Sequence, residues 1–213
     1  MGAGMTRHVF IAAMFLVLFF TLSYGSVAIS SVQAIDNVID AAVSPLRTKP
    51  LLSVFLWVTT LGAGATLLAV MLTATGFLWQ GPDRGFLRPL WITYLGTEAM
   101  TWGAKFILDR ERPVFLEVAS AASPSFPSAH TAGAAAVYGF VAYILASDAK
   151  HNRSVHAAII VAAAFVIAAV ALSRVVLGVH FFSDVLGGLA VAGLWICLGT
   201  SNVRWTPVHE KAR

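Results

Sequence analysis

Charge is what this chain has least of. Only 11% of its 213 residues are Asp, Glu, Lys or Arg, against about 25% in an ordinary soluble domain. That scarcity excludes a water-solvated surface of normal composition, and 58% of the residues are hydrophobic. Mean hydropathy is +0.80. Cysteine is almost missing. Cys197 stands alone in an apolar segment, which excludes an internal disulfide and a cysteine-based metal site. Net charge is small, with 14 Lys plus Arg against 10 Asp plus Glu. The excess of four suits loop topology or anionic lipid head groups. It lacks the clustered basic face that nucleic acid calls for. The chain is therefore read as an integral membrane protein with one helical bundle and no large second domain.

The apolar runs place the crossings. Val9 to Tyr24 reads as a first spanning helix. A secretory signal peptide has a similar basic start and apolar core, but apolar runs continue down the whole chain. Gly25 to Pro50 is milder and carries Asp36 and Asp40; it reads as an interfacial helix or a loop. Leu51 to Trp79 has no charge and exceeds the ~20 residues needed to cross, so it must tilt or extend into the interface. Pro89 to Phe106 is a third crossing. Its Glu98 reads as a carboxylate satisfied by a neighbouring helix. Helices follow from Ser128 to about Leu145, from Ala157 to Ser173, and from about His180 to Leu198. The expected architecture is all-α: a polytopic six-transmembrane-helix bundle, residues 1–213 forming a single domain. Trp57, Trp79, Trp91, Trp102, Trp195 and Trp205 lie mostly near span ends and read as interfacial anchors.

Six crossings put both termini on one side. That side carries Arg7, Arg84, Arg88, Lys150, Arg153, Arg204, Lys211 and Arg213; the other carries Arg47, Lys49, Lys105, Arg110, Arg112 and Arg174. Eight cations against six is a slight bias. Setting aside Lys105, Arg112 and Arg174, which chemistry demands, sharpens it to eight against three. The positive-inside rule then places both termini in the cytoplasm.

Three polar groups fall at the opposite face: Lys105 to Arg112, Ser125 to His130, and Arg174 to Asp184. Charge in an apolar segment is expensive and points to function or a partner. His180 and Asp184 are four apart, so on a helix they share a face, and the carboxylate holds one ring nitrogen protonated. Lys105, Arg112 and Arg174 would repel unless a polyanion lay between them. Arginine forks match phosphate oxygens. Ser128, Ala129 and His130 open a helix, where backbone N–H groups face outward to receive an anion. Taken singly, His180 reads as a structural histidine and Lys105 and Arg174 as snorkelling cations; together they describe a phosphate site at the water–lipid boundary. Asp109 and Arg110 read as loop solvation or a local pair. His8, His151, His156 and His209 lie in polar segments or at helix ends and carry no signal.

The spacing of these blocks resembles the type 2 phosphatidic acid phosphatase (PAP2) family. KFILDRERP (Lys105 to Pro113), PSAH (Pro127 to His130) and SRVVLGVHFFSD (Ser173 to Asp184) match its three motifs in order and spacing. Met1 to Phe86 resembles the family only in hydropathy. One position departs: Ala129 stands where the family usually has Gly, which would strain the chain if the site needed a positive φ. The resemblance implies that His180 attacks phosphorus to form a phosphohistidine, that Asp184 holds its other nitrogen, and that His130 is the general acid and then the base. Lys105, Arg112, Ser128, Ala129 and Arg174 would bind the phosphate. No metal and no cofactor are implied, and three side-chain cations already neutralise the phosphate.

The expected partners are the bilayer and an amphiphilic lipid phosphate or diphosphate, with no nucleic acid and no obligate protein partner. Undecaprenyl diphosphate is the first choice by analogy. Phosphatidylglycerol phosphate, phosphatidic acid and the lipid A 1-phosphate are the others. The expected location is a bacterial cytoplasmic (inner) membrane, with the site on the periplasmic or extracellular face. Rival readings are a lipid phosphotransferase and a transporter of phosphorylated lipids. A transporter does not need the His180–Asp184 pair or His130.

Overall fold

The computed structural model describes residues 3–113, 123–149 and 152–201. Glu117, Lys150, His151 and residues 202–213, with Arg204, Trp205, His209, Lys211 and Arg213, lie outside the described residues. Among the described residues every regular element is helical. The order is α1 (Ala3–Ala28), α2 (Ser30–Val43), α3 (Lys49–Thr59), α4 (Gly64–Gln80), α5 (Leu87–Leu108), α6 (Ala129–Asp148), α7 (Arg153–Val176) and α8 (Phe182–Ser201), with short 3-10 turns between some of them. Local chemistry sets several ends. Pro50 sits in the first turn of α3, where its missing N–H is not needed. Asn152 caps α7 by accepting from the Val155 N–H at 3.2 Å. Asp109 closes α5 at φ 43°, in the left-handed region common after a helix C-terminus.

Four described helices are long and apolar enough to cross a membrane: Arg7–Ala28 of α1, α6, α7 and α8. The pair α3 and α4 makes up to one more, bent by 43°. This bend corrects the single tilted run expected from Leu51 to Trp79. The break falls at Thr60–Gly64, where two glycines flank Ala63. α5 has 22 residues but carries Arg88, Glu98 and Lys105, which lowers its apolarity.

α6 and α8 form the centre. α8 packs along α1, α6 and α5, while α6 also packs along α7 and α5. With little hydrophobic drive between helices in lipid, close approach through small residues supplies the contact. A Cβ on Gly188 of α8 would lie 2.7 Å from the Ser128 carbonyl oxygen. That oxygen belongs to backbone at the start of α6, which has little room to yield. Gly188→Ala is therefore expected to cost about 1–3 kcal/mol and to slow turnover by displacing the start of α6. A thermal melt in detergent and an activity assay check this; an unchanged melt with full activity contradicts it.

α2 lies across the ends of α7 and α8. Its Ile39 and Val43 pack against Ala171, Val175 and Val185. Trp195, expected at an interface, instead lies on Gly96 of α5, whose lack of a side chain makes room for the indole.

Candidate active site

The turn Leu177–Phe181 joins α7 to α8 and carries His180. Gly178 turns it with φ 65°, a conformation cheap only for glycine. The His180 and Val179 N–H groups fold back onto the Arg174 carbonyl at 3.3 and 3.2 Å. His180 thus precedes α8, which starts at Phe182, and the shared helix face expected for His180 and Asp184 is not how they meet. Asp184 sits in the first turn of α8, and its Oδ2 accepts the Phe181 N–H at 2.8 Å, half of a capping box. The same oxygen lies 3.4 Å from His180 Nδ1.

Arg112 decides the state of the ring. Its Nη1 is 3.1 Å from His180 Nε2. Guanidinium only donates, so Nε2 is the acceptor and the ring proton sits on Nδ1, facing Asp184. Burial pushes the His180 pKa down to about 4; Asp184 opposes that, and Arg174 and Arg112 add to it. The ring is therefore neutral at pH 7 and keeps a lone pair on Nε2. Arg112 is itself held by the Ser123 carbonyl at 2.8 Å and the Val179 carbonyl at 2.7 Å. Burial lowers its pKa, which Asp184 partly restores.

The other expected phosphate ligands gather around this ring. Lys105 is 1% exposed and donates to the carbonyls of Pro124 and Ser125 at 2.5 and 3.3 Å. An ammonium has three donors, so one remains for an anion. Arg174 donates through Nη1 to Thr59 Oγ1 at 2.6 Å. Its Nε is buried without a partner among the described residues. Thr59 ends α3, so the helix break brings a hydroxyl to this arginine. His130 lies in the first turn of α6, and a Cβ on Gly62 at the α3–α4 break would lie 3.2 Å from its Cβ.

One expectation at the α6 N-terminus needs correction. The Ser128 N–H is not turned outward; it donates to the Asp184 carbonyl at 3.0 Å. Only Ala129 and His130 keep first-turn N–H groups in the position that lacks an intrahelical acceptor. Ser128 Oγ caps the helix by accepting from the Thr131 N–H at 3.5 Å and also accepts from Thr131 Oγ1 at 3.0 Å, which leaves its own proton to donate. Ala129 carries no strain, because among the described residues Asp109 is the one non-glycine at positive φ.

Sequence reasoning missed three participants. Arg110 is no solvated loop charge. Its side chain is 8% exposed and bridges Asp184 Oδ1 at 2.5 Å, Ser183 Oγ at 2.8 Å and Asp36 Oδ2 at 2.8 Å. Asp36, on α2, is 2% exposed. Ser125 Oγ donates to Asp184 Oδ2. Lone buried charges are costly, so an acid facing inward from α2 was the available clue. Glu98 accepts from Trp102 Nε1 of its own helix at 3.1 Å, rather than from a neighbouring helix. Among the described residues no group of three or more His, Cys, Asp or Glu side chains is placed to hold a metal ion.

Residues 86–207, over half of the chain, match the PAP2 superfamily. The chain belongs to the PAP2 superfamily. Phosphatidylglycerophosphatase B of Bacillus subtilis (strain 168) is 34% identical over 183 residues, 83% of this chain and 87% of that protein. The crystal structure described as the first transmembrane PAP2 type phosphatidylglycerolphosphate phosphatase from Bacillus subtilis aligns with a TM-score of 0.77 at 29% identity, covering 90% of this chain and 94% of that one. Aquifex aeolicus LpxE aligns with a TM-score of 0.59 at 20% identity, covering 76% and 92%, a likeness of fold alone. In this PAP2 protein the three sequence blocks that carry the family resemblance meet at one end of α5, α6, α7 and α8.

Proposed function

We propose that this PAP2 protein hydrolyses the terminal phosphate of a membrane lipid, with phosphatidylglycerol phosphate as the first substrate to test. The geometry that supports the reading is Arg112 Nη1 at 3.1 Å from His180 Nε2 and Asp184 Oδ2 at 3.4 Å from Nδ1, which puts the ring proton on Nδ1 and the Nε2 lone pair on the side of Arg112. His180 Nε2 attacks phosphorus and the P–O ester bond breaks. His130 takes up a proton as the anionic phosphate binds and gives it to the departing oxygen. His130 then takes a proton from water, the water oxygen attacks phosphorus, and the P–N bond breaks to release phosphate. Lys105, Arg112, Arg174, Ser128 and the Ala129 N–H hold the oxygens as charge spreads in the transition state.

Two considerations support phosphatidylglycerol phosphate over undecaprenyl diphosphate, the first choice by analogy. The relatives at 34% and 29% identity are named for that substrate. Around His180 the cations Lys105, Arg110, Arg112 and Arg174 exceed the carboxylates Asp36 and Asp184 by two charges, which suits a phosphomonoester dianion. The proposed topology is one domain over 1–213 with six crossings: α1, the bent α3–α4 pair, α5, α6, α7 and α8. Both termini are cytoplasmic, and the site lies on the outer face of a bacterial cytoplasmic membrane.

The test is phosphate release by purified protein in detergent with EDTA, without acceptor lipid, on phosphatidylglycerol phosphate, undecaprenyl diphosphate, phosphatidic acid and lipid A 1-phosphate. The expected result is release, fastest from phosphatidylglycerol phosphate. Faster release from undecaprenyl diphosphate overturns the substrate choice. Absence of release from all four overturns hydrolysis, and EDTA inhibition reversed by magnesium overturns the metal-free mechanism.

A further inference from the structure

One surface segment grips both ends of the turn that carries His180. At its start, Asp36 on α2 accepts the Ser183 N–H at 2.9 Å through Oδ1 and the Ser183 hydroxyl at 2.6 Å through Oδ2. Those bonds tie down the first turn of α8. At its end, Arg47 donates from Nε to the Val176 carbonyl at 3.0 Å and from Nη2 to the Val175 carbonyl at 3.3 Å. Those bonds cap the last turn of α7. Arg47 is in turn held by Asp40. Acid at a helix N-terminus and base at a helix C-terminus is the favourable pairing for both helix dipoles.

Arg110 completes the grip from the third side. It joins the buried carboxylates of Asp36 and Asp184 through different nitrogens, and its guanidinium lies 4.3 Å from the centre of the Phe181 ring. Asp184 is fully buried and directs Nδ1 of His180. A shift of α2 would therefore be transmitted through one arginine to the acid behind the nucleophile.

We propose that Asp36 and Arg110 are positioning residues for the His180 nucleophile, and that the segment Asp36–Arg47 is a clamp on its turn. The inference rests on the phosphohistidine reading above. Neither residue touches the phosphate; each acts through Asp184 and the α8 start. Loss of either should slow phosphoryl transfer and leave lipid binding alone.

The test uses the full chain in detergent with the lipid released fastest in the panel. Asp36→Asn and Arg110→Gln are expected to lower kcat by about 10- to 100-fold, on the scale of losing a partner that orients a metal-ligating side chain, with KM within about twofold of wild type. Formation of the acid-labile phosphoprotein should slow by the same factor. Because both residues act on one network, the double variant should be no more than about threefold worse than Arg110→Gln alone. Arg110→Lys keeps the charge, and with it the fold, but a single ammonium cannot hold both carboxylates and Ser183 in the same geometry. It should show an unchanged melt and a lowered kcat. Wild-type kcat in Asp36→Asn and Arg110→Lys overturns the clamp, as does a loss confined to KM or a fully additive double variant. His180→Ala run beside them separates the two claims. If it retains release, the nucleophile reading fails; if it is dead while Asp36→Asn and Arg110→Lys match wild type, only the clamp fails.

Discussion

His180→Ala is expected to reduce phosphate release by at least about 10⁴-fold, the scale of losing an enzyme's attacking group. No phosphoprotein should form. The His180 side chain is 2% exposed and contacts Arg112, Ser125 and Asp184. Its removal leaves Arg112 bonded to the Ser123 and Val179 carbonyls, so the turn keeps other anchors and the phosphate keeps its cations. Lipid binding should therefore survive. Isothermal binding beside a phosphate-release assay checks both halves. Activity within about tenfold of wild type would show that another group attacks.

Asp184→Asn should be the next most damaging change, at about 10³-fold in kcat. The carboxylate receives Arg110 on Oδ1 and Ser125, the Phe181 N–H and His180 on Oδ2. An asparagine keeps the volume but must present its amide NH₂ to part of that donor set. With its oxygen kept by Arg110, the NH₂ faces Nδ1 of the ring. That arrangement turns Nδ1 into an acceptor and moves the ring proton to Nε2, where the lone pair is needed. A wrong tautomer of this kind costs a serine protease about 10⁴ in kcat. Nitrogen-15 shifts of the imidazole would report the tautomer directly. A variant with full activity, or with the wild-type tautomer, would contradict the argument.

Hydropathy made the helical character and the positions of most crossings legible, because long apolar runs leave few alternatives. It could not see the α3–α4 break. Apolarity is counted along a run, whereas the bend comes from backbone around Gly62 and Gly64 in a stretch with no charge to mark it. The spacing of polar blocks pointed to Lys105, Arg112, Ser128, His130, Arg174, His180 and Asp184, and the fold gathers them at one end of the bundle. Arg110 was hidden by its neighbours. In the run Asp109–Arg112 every residue is charged, and nothing local distinguishes a charge that reaches water from one that meets Asp36, 74 positions earlier. The Ser128 N–H was hidden for a similar reason. The N-cap is predictable from its sequence, but the acceptor of the Ser128 N–H belongs to α8.

The stretch that matches the superfamily begins at residue 86, yet the structure has no seam there. α1 runs along α8, with Phe19 packed on Phe126 beside Val191, and Asp36 neutralises an arginine 74 positions later. A truncated gene covering only the matched stretch would strip the outer wall from α8 and orphan a buried guanidinium. Attempts to express or swap that portion by itself should yield insoluble protein.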